Sequence, residues 1–354
     1  MHIPATRPRE RGFVLVTLGV SLVAMMAMLG LAVDIGRMYI VKNESQAYVD
    51  AASLTAALQL DGTTGGISRA TGTLSASTNR WDLGSTAFAG TQVDFGTDAT
   101  GPWMASPSPA SGYRYVRVRA ASTVSLYFLP IVVAVRSSVV NATAVAGQLP
   151  KTDFGEGVFP FSPFAHDVSD PNFGYTPGQR YTLRWPAAPT LNKNVCPGDD
   201  AQQWIDVSNL GGGSERGFIE NTSAEIIRAA IVQDYQSVHV IVGQPVTMTG
   251  GNKQTERDAL IARVNQDTNP SATSYAQYES SGAGNRRRLV AVPINSGHPG
   301  NIVLGIGLFF LLAPSDYPQG GNEPWCAEYV GPYVQGGDHQ GAGEPGAYVV
   351  RLVQ

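Results

Sequence analysis

The chain has 354 residues, 43% of them hydrophobic and only 15% charged, with 40 glycines and 23 prolines. Its length predicts about two folded units at roughly 100–200 residues per domain, and low charge with abundant Gly and Pro predicts loop-rich β structure rather than an ordinary cytosolic enzyme. A net charge of −4 does not suggest a nucleic-acid partner, which normally needs a concentrated basic face, so no nucleic acid is expected.

Residues 13–33, FVLVTLGVSLVAMMAMLGLAV, carry no charge. About 21 residues at 1.5 Å per residue span roughly 30 Å, the thickness of a bilayer's hydrocarbon core. A secretory signal has a shorter apolar region, about 7–15 residues, closed by a small-x-small cleavage site. Here the apolar run is longer and leads straight into more helix, which predicts an uncleaved single-pass anchor. Arg7, Arg9 and Arg11 precede the span against Glu10, while Asp34, Arg37 and Lys42 follow it. With the rest of the chain on one side, the N-terminus is expected inside and the body outside the cytoplasm.

No proline or turn pair interrupts residues 13–60. Past the span, Ile35, Met38, Tyr39, Lys42, Gln46, Val49, Ser53 and Ala56 fall at helical spacing, and Ala47, Tyr48, Ala51, Ala52, Leu54 and Leu58 form an adjoining face. The small side chains of Ala47, Ala51, Ala52 and Ala56 would let another backbone approach closely. Asp61-Gly62 is the expected end, with glycine as the C-terminal cap. One helix of about 48 residues would be roughly 70 Å long, its first half in lipid and its second half packed on protein.

These residues carry a resemblance. Arg11-Gly12 before the span, then GLAVDIGRMY with Asp34 and Gly36, then QAYVDAASLTAA with Gln46, Asp50, Ala51, Ala52, Ser53 and Leu54 occur in fixed order. In that order they resemble the N-terminal region of the TadE/TadG-like proteins of the Tad (Flp, tight-adherence) pilus system. The resemblance implies a pilin-like plan, a small β-sheet on the N-terminal helix, an inner-membrane location with a periplasmic or cell-surface body, and other Tad pilus components as partners. It implies a non-enzymatic minor pilin or pilus-assembly protein. The alternative is a membrane-anchored adhesion module whose C-terminal unit recognises a glycan or protein on a surface. Type IV prepilins carry Glu five residues after the cleavage-site glycine. Here Thr17 stands at that distance from Gly12, so the chain is expected to remain unprocessed. Some TadG-like members carry an Asp-x-Ser-x-Ser metal motif. The nearest strings, at Asp167 and Asp206, lack the second serine.

After Gly62 the composition turns to Gly, Ser and Thr as far as Gly112, with a loop from Pro102. Residues 113–123 alternate as a strand does, and SVVNATAVAG reads as another. Between them lies an apolar stretch interrupted by Pro130 and Arg136, too short and broken to cross a bilayer again. A second unit begins near Lys151. TPGQRYTLRW reads as turn and strand, Thr222 with Glu225 opens a short helix at capping-box spacing, residues 237–248 read as a strand, and residues 252–267 as a helix. RRLVAVPIN and IVLGIGLFFLL read as buried strands, and the last residues as a final strand. The Arg286-Arg287-Arg288 triplet reads as the solvated start of a strand. Helices and strands mix without strict alternation, so the fold class is α+β. The expected division is 1–12 stub, 13–33 transmembrane helix, 34–150 pilin-like helix and sheet, and 151–354 extracytoplasmic domain.

The two cysteines, Cys196 and Cys326, belong to no CxxC and have no histidine at ligand spacing. In a reducing compartment they would be free thiols, but in an exported body they are expected to form a disulfide. The five histidines, His2, His166, His239, His298 and His339, make no HxxxH, and neither GxSxG nor GxxxxGK[ST] occurs. Asp199-Asp200, and Asp167 with Asp170, supply two carboxylates each where calcium takes about six to eight oxygens, so they read as acidic turns. Trp185, Trp204 and Trp325 read as core rather than a glycan groove. No catalytic, cofactor or metal site is expected.

Overall fold

The computed structural model describes residues 10–75, 80–81, 83–84, 86–88, 90–132, 134–186, 195–200, 215–219, 223–233, 239–250, 254–320, 323–337, 339–343 and 346–353. Helix α1, Glu10–Leu58, runs unbroken for 49 residues, as the absence of proline allows. Turn bonds from Gln59 and Leu60 to Ala56 and Ala57 close it. Gly62 takes a φ of +80°, but the chain does not then become loop as composition predicts. Thr63 Oγ1 accepts the Gly66 N–H and starts helix α2, Thr64–Ser75. Its residues are poor helix formers, yet Ile67, Ala70 and Leu74 fall on one face and all three are buried. Packing and a cap outweigh propensity here.

Nine strands form one sheet: β1 Gln92–Gly96, β2 Trp103–Met104, β3 Tyr115–Ser125, β4 Ser137–Pro150, β5 Arg180–Arg184, β6 Leu289–Asn295, β7 Val303–Leu311, β8 Trp325–Gln335 and β9 Ala347–Leu352. The order is β6-β7-β8-β9-β4-β3-β1-β2, with β5 also pairing β8. Every pair is antiparallel except β8 with β9. The β3–β4 hairpin pairs from Tyr115↔Gly147 to Ser125↔Ser137. Val116, Val118, Ala120, Ser122 and Val124 alternate inward, opposite the inward Val140, Ala142, Ala144 and Ala146 of β4. Alanine on both strand and helix brings α1 close to the sheet, and Tyr48, Val49, Ala56, Ala57, Phe95 and Val116 share one core there.

The other half of the sheet carries a second core. Val290, Val292, Phe309, Leu311 and Trp325 pack with Ile227 and Ile231 of helix α4, Ala224–Gln233, and with Leu260 and Val264 of helix α5, Gln254–Asn265. (The short helix at the β3–β4 tip, Leu129–Val132, is α3.) The Ser223 hydroxyl accepts the Ile226 N–H and so starts α4, while Thr222, which was expected to open it, lies outside the described residues. The predicted strand over residues 237–248 is not one. Val240–Ile241 pairs with Asp153–Phe154, Met248–Gly250 pairs with Glu215–Ile219, and Gly243, at a φ of +86°, turns the chain between them.

One link ties the halves together, and a second staples the C-terminal half to itself. β9 pairs with β4 from Tyr348↔Pro150 to Leu352↔Ala146, so the sheet runs on across position 150. Cys196 and Cys326 form a disulfide between the segment after β5 and strand β8. Trp185 and Trp325 are fully buried, and Trp204 lies outside the described residues. The arginine triplet departs from the expected solvated strand start. Arg288 is fully buried and donates to the carbonyls of Leu311, Asn269 and Ala272, Arg287 donates to Val232, and Arg286 pairs with Glu279. A cation can be buried there because its donors meet carbonyl oxygens.

Candidate membrane anchor and helix–hairpin junction

The apolar half of α1 has almost nothing packed on it. Leu15 is 75% exposed and Met28 71%, and Phe13, Leu18, Leu22 and Met25 are likewise open. An apolar surface of that extent in water is a liability, while a helix of this length with an 18-residue stretch of mean hydropathy 2.4 is suited to a bilayer. Thr17, a polar side chain near the start of the span, donates its hydroxyl back to the Phe13 and Val14 carbonyls, which satisfies it without water.

Beyond the span, α1 climbs the β3–β4 hairpin through a ladder of polar contacts. Asp34, almost wholly buried, accepts the backbone N–H groups of Tyr127, Phe128 and Leu129 at 3.0, 2.9 and 2.7 Å. Arg37 donates to the Ser125 carbonyl and Lys42 to that of Asn141. The Ser45 and Ser122 hydroxyls bond each other at 3.1 Å. Gln46 donates to both Asp50 and the Thr143 carbonyl. At the top, the buried Gln148 side chain donates to the Ala57 and Leu60 carbonyls and accepts the Ala342 N–H. It thereby adds a donor at the helix's C-terminal end, where the i+4 ladder of backbone bonds runs out. β4 therefore runs in the same direction as α1, and Val41, Ser45, Tyr48, Val49, Ser53, Ala56 and Ala57 make the buried stripe.

The predicted packing residues divide. Ala56 is fully buried on the sheet and Ala52 partly so, but Ala47 and Ala51 face away and are exposed. Ile35 and Tyr39, drawn into the packed face by spacing, are also exposed. Of the motif residues, Asp34, Gln46 and Asp50 form the junction. Gly36 has no atom within 4 Å of where a Cβ would stand, so nothing in the structure explains it. Gly12 lies in the first turn of α1, where side-chain surroundings are not described. Sequence reading missed Gly30. A Cβ there would stand 2.4 Å from the Phe128 Cβ, so glycine is what admits the tip of the hairpin. A glycine one turn before a lone acid at the end of an apolar run was the signal.

Among the described residues no group of three or more His, Cys, Asp or Glu could hold a metal. Asp167 Oδ1 is taken by the Ser169 N–H and hydroxyl and so closes a local turn as expected, whereas Asp199 reaches beyond its own turn to the Thr182 N–H and to His166. Asp206 lies outside the described residues.

No curated protein and no solved structure matches the chain. The apolar span and the α1 side of the junction, as far as Ala57, fall within one matched stretch. Residues 12–59 match the family model described as "Putative Flp pilus-assembly TadE/G-like", in line with the resemblance that the N-terminal sequence carries.

Proposed function

We propose that the chain is a non-enzymatic, membrane-anchored component of a Tad-type pilus, a minor pilin or pilus-assembly protein. In this reading residues 1–12 form a cytoplasmic stub and 13–33 cross the inner membrane. Residues 34–150 make a pilin-like unit, and 151–354 complete a periplasmic or surface body. The observation that carries the reading is that α1 has two differently solvated halves in one rod. One half is bare and apolar, and the other is bonded along a hairpin. On that second half, Ala47 and Ala51 remain exposed opposite the sheet, where small side chains allow another helix to approach. The Tad match of residues 12–59 supplies the class of partner.

The test is purification of the tagged full chain from membranes, with intact mass and co-purifying proteins read together. The expected result is an unprocessed N-terminus, other Tad components in the eluate, and loss of those partners in Ala47→Leu/Ala51→Leu. A chain cut after Gly12 would make it a processed pilin despite Thr17. A chain that never meets Tad components would sink the reading.

A further inference from the structure

The β3–β4 connection, residues 126–135, reads LYFLPIVVAV, which is too short to cross a bilayer and is not absorbed by either core. Its position is set by α1. Asp34 holds the backbone of Tyr127, Phe128 and Leu129, and Phe128 rests on Gly30. Gly30 belongs to the uncharged 13–33 stretch, so the tip stands level with the last turn of the span rather than above it. Leu126 is buried, but Tyr127, Phe128 and Val135 turn outward, 62%, 43% and 48% exposed. Phe128 also roofs a groove on α1 whose other wall is Val23, Met26, Ala27, Gly30 and Val33. Cations flank the tip. Arg37 lies over the Tyr127 ring at 4.6 Å, and the exposed Arg136 follows Val135.

We propose that the β3–β4 tip is a second membrane contact, dipping into the interfacial layer of the same bilayer that α1 crosses, with an acyl chain lying in the groove under Phe128. The proposal rests on the anchored reading above. The occupant is lipid because the groove is continuous with the surface that α1 presents to the bilayer. A tip bonded at Gly30 and Asp34 cannot stand clear of a membrane that covers residues 13–33. Aromatic and aliphatic side chains bracketed by arginines are also the composition that interfaces favour. Two contacts hold the body at a fixed angle over the membrane, where a single helix would leave it free to swivel.

The test uses the full chain in vesicles of phosphatidylethanolamine and phosphatidylglycerol, spin-labelled one site at a time at Val20→Cys, Tyr127→Cys, Val135→Cys and the exposed body position Val168→Cys. The native cysteines are bonded to each other, so each variant has one free thiol. Relaxation by oxygen, which partitions into lipid, is compared with relaxation by a water-soluble nickel chelate. Oxygen dominating at Val20, Tyr127 and Val135, with nickel dominating at Val168, is the expected result. If nickel dominates at Tyr127 and Val135 while Val20 stays in lipid, the tip proposal fails and the anchor stands. Tip labels shielded from both agents, with a spin–spin broadening that dilution by unlabelled chain removes, mean that a second copy covers the tip, and the proposal is overturned. Nickel dominating at all four sites overturns both readings.

Discussion

At Asp34 one carboxylate gathers three backbone N–H groups and holds a loop tip at the end of an apolar helix. Asp34→Asn keeps one acceptor oxygen and adds donors that face donors. Faster amide exchange is therefore expected at Tyr127, Phe128 and Leu129, with β1 unchanged, by exchange mass spectrometry in micelles. Gly30→Ala sets two effects against each other. Alanine gains up to about 1 kcal/mol of helix propensity, but its Cβ would sit 2.4 Å from Phe128, and overpacking of this kind typically costs about 1–3 kcal/mol. The clash should win, seen as a lower Tm together with the same loosened amides. A different residue sets a pH response. Burial works to raise the Glu279 pKa, but hydrogen bonds from His339 and Arg286 outweigh it and hold the carboxyl below its ordinary value of 4.5. A lowered pKa means the folded state binds fewer protons, so this contribution is complete above the unfolded value and is lost as pH falls through the folded one. Glu279→Gln should flatten the acid side of a Tm curve taken from about pH 6 to about pH 3. An unchanged curve would remove Glu279 from the account.

At the scale of elements, α1 has three surfaces along one continuous rod: bare in its first half, and packed on one face and open on the other in its second. Substitution should separate them. Ala56→Leu forces a larger side chain against the sheet and is expected to cost about 1–3 kcal/mol. Ala51→Leu, on the open face, should stay within about 0.5 kcal/mol. Thermal unfolding of the two variants side by side checks this, and equal losses would mean that the open face is not open. Sequence periodicity found the helix, its length and the small residues. It did not find which alanines meet the sheet, because Ala47, Ala51, Ala52 and Ala56 are chemically alike and only the hairpin's position tells them apart. α2 was illegible for a related reason. Its glycines and threonines argue for a loop, and only the burial of Ile67, Ala70 and Leu74 against a neighbour makes a helix favourable.

For the whole molecule, the halves are coupled through β9, and the disulfide closes a loop within the C-terminal half. Cys196 and Cys326 are 130 residues apart, and in the chain-entropy model closing such a loop contributes about 4–5 kcal/mol. Cys326→Ser should therefore lower the urea midpoint of the body substantially, while adding reductant to that variant changes nothing further. In the native protein, thiol labelling without reductant should fail, and ready labelling of both cysteines would refute the pairing in the cell.

The sequence by itself determined what depends on runs and periods. Those are the membrane-length apolar stretch, the uninterrupted helix beyond it, the β3 and β4 alternation, the α+β class and the Tad-type order of residues 12–59, all local patterns that one strand of text can carry. Tertiary structure alone decided what depends on distant partners. Asp34 meets residues 127–129, Gly30 makes room for Phe128, the last strand joins the sheet of the first module, and Arg288 exchanges water for three carbonyls. Apart from Arg288, whose carbonyls lie 16–23 residues away, these pairings join segments more than ninety residues apart, and no short window on the sequence contains both sides.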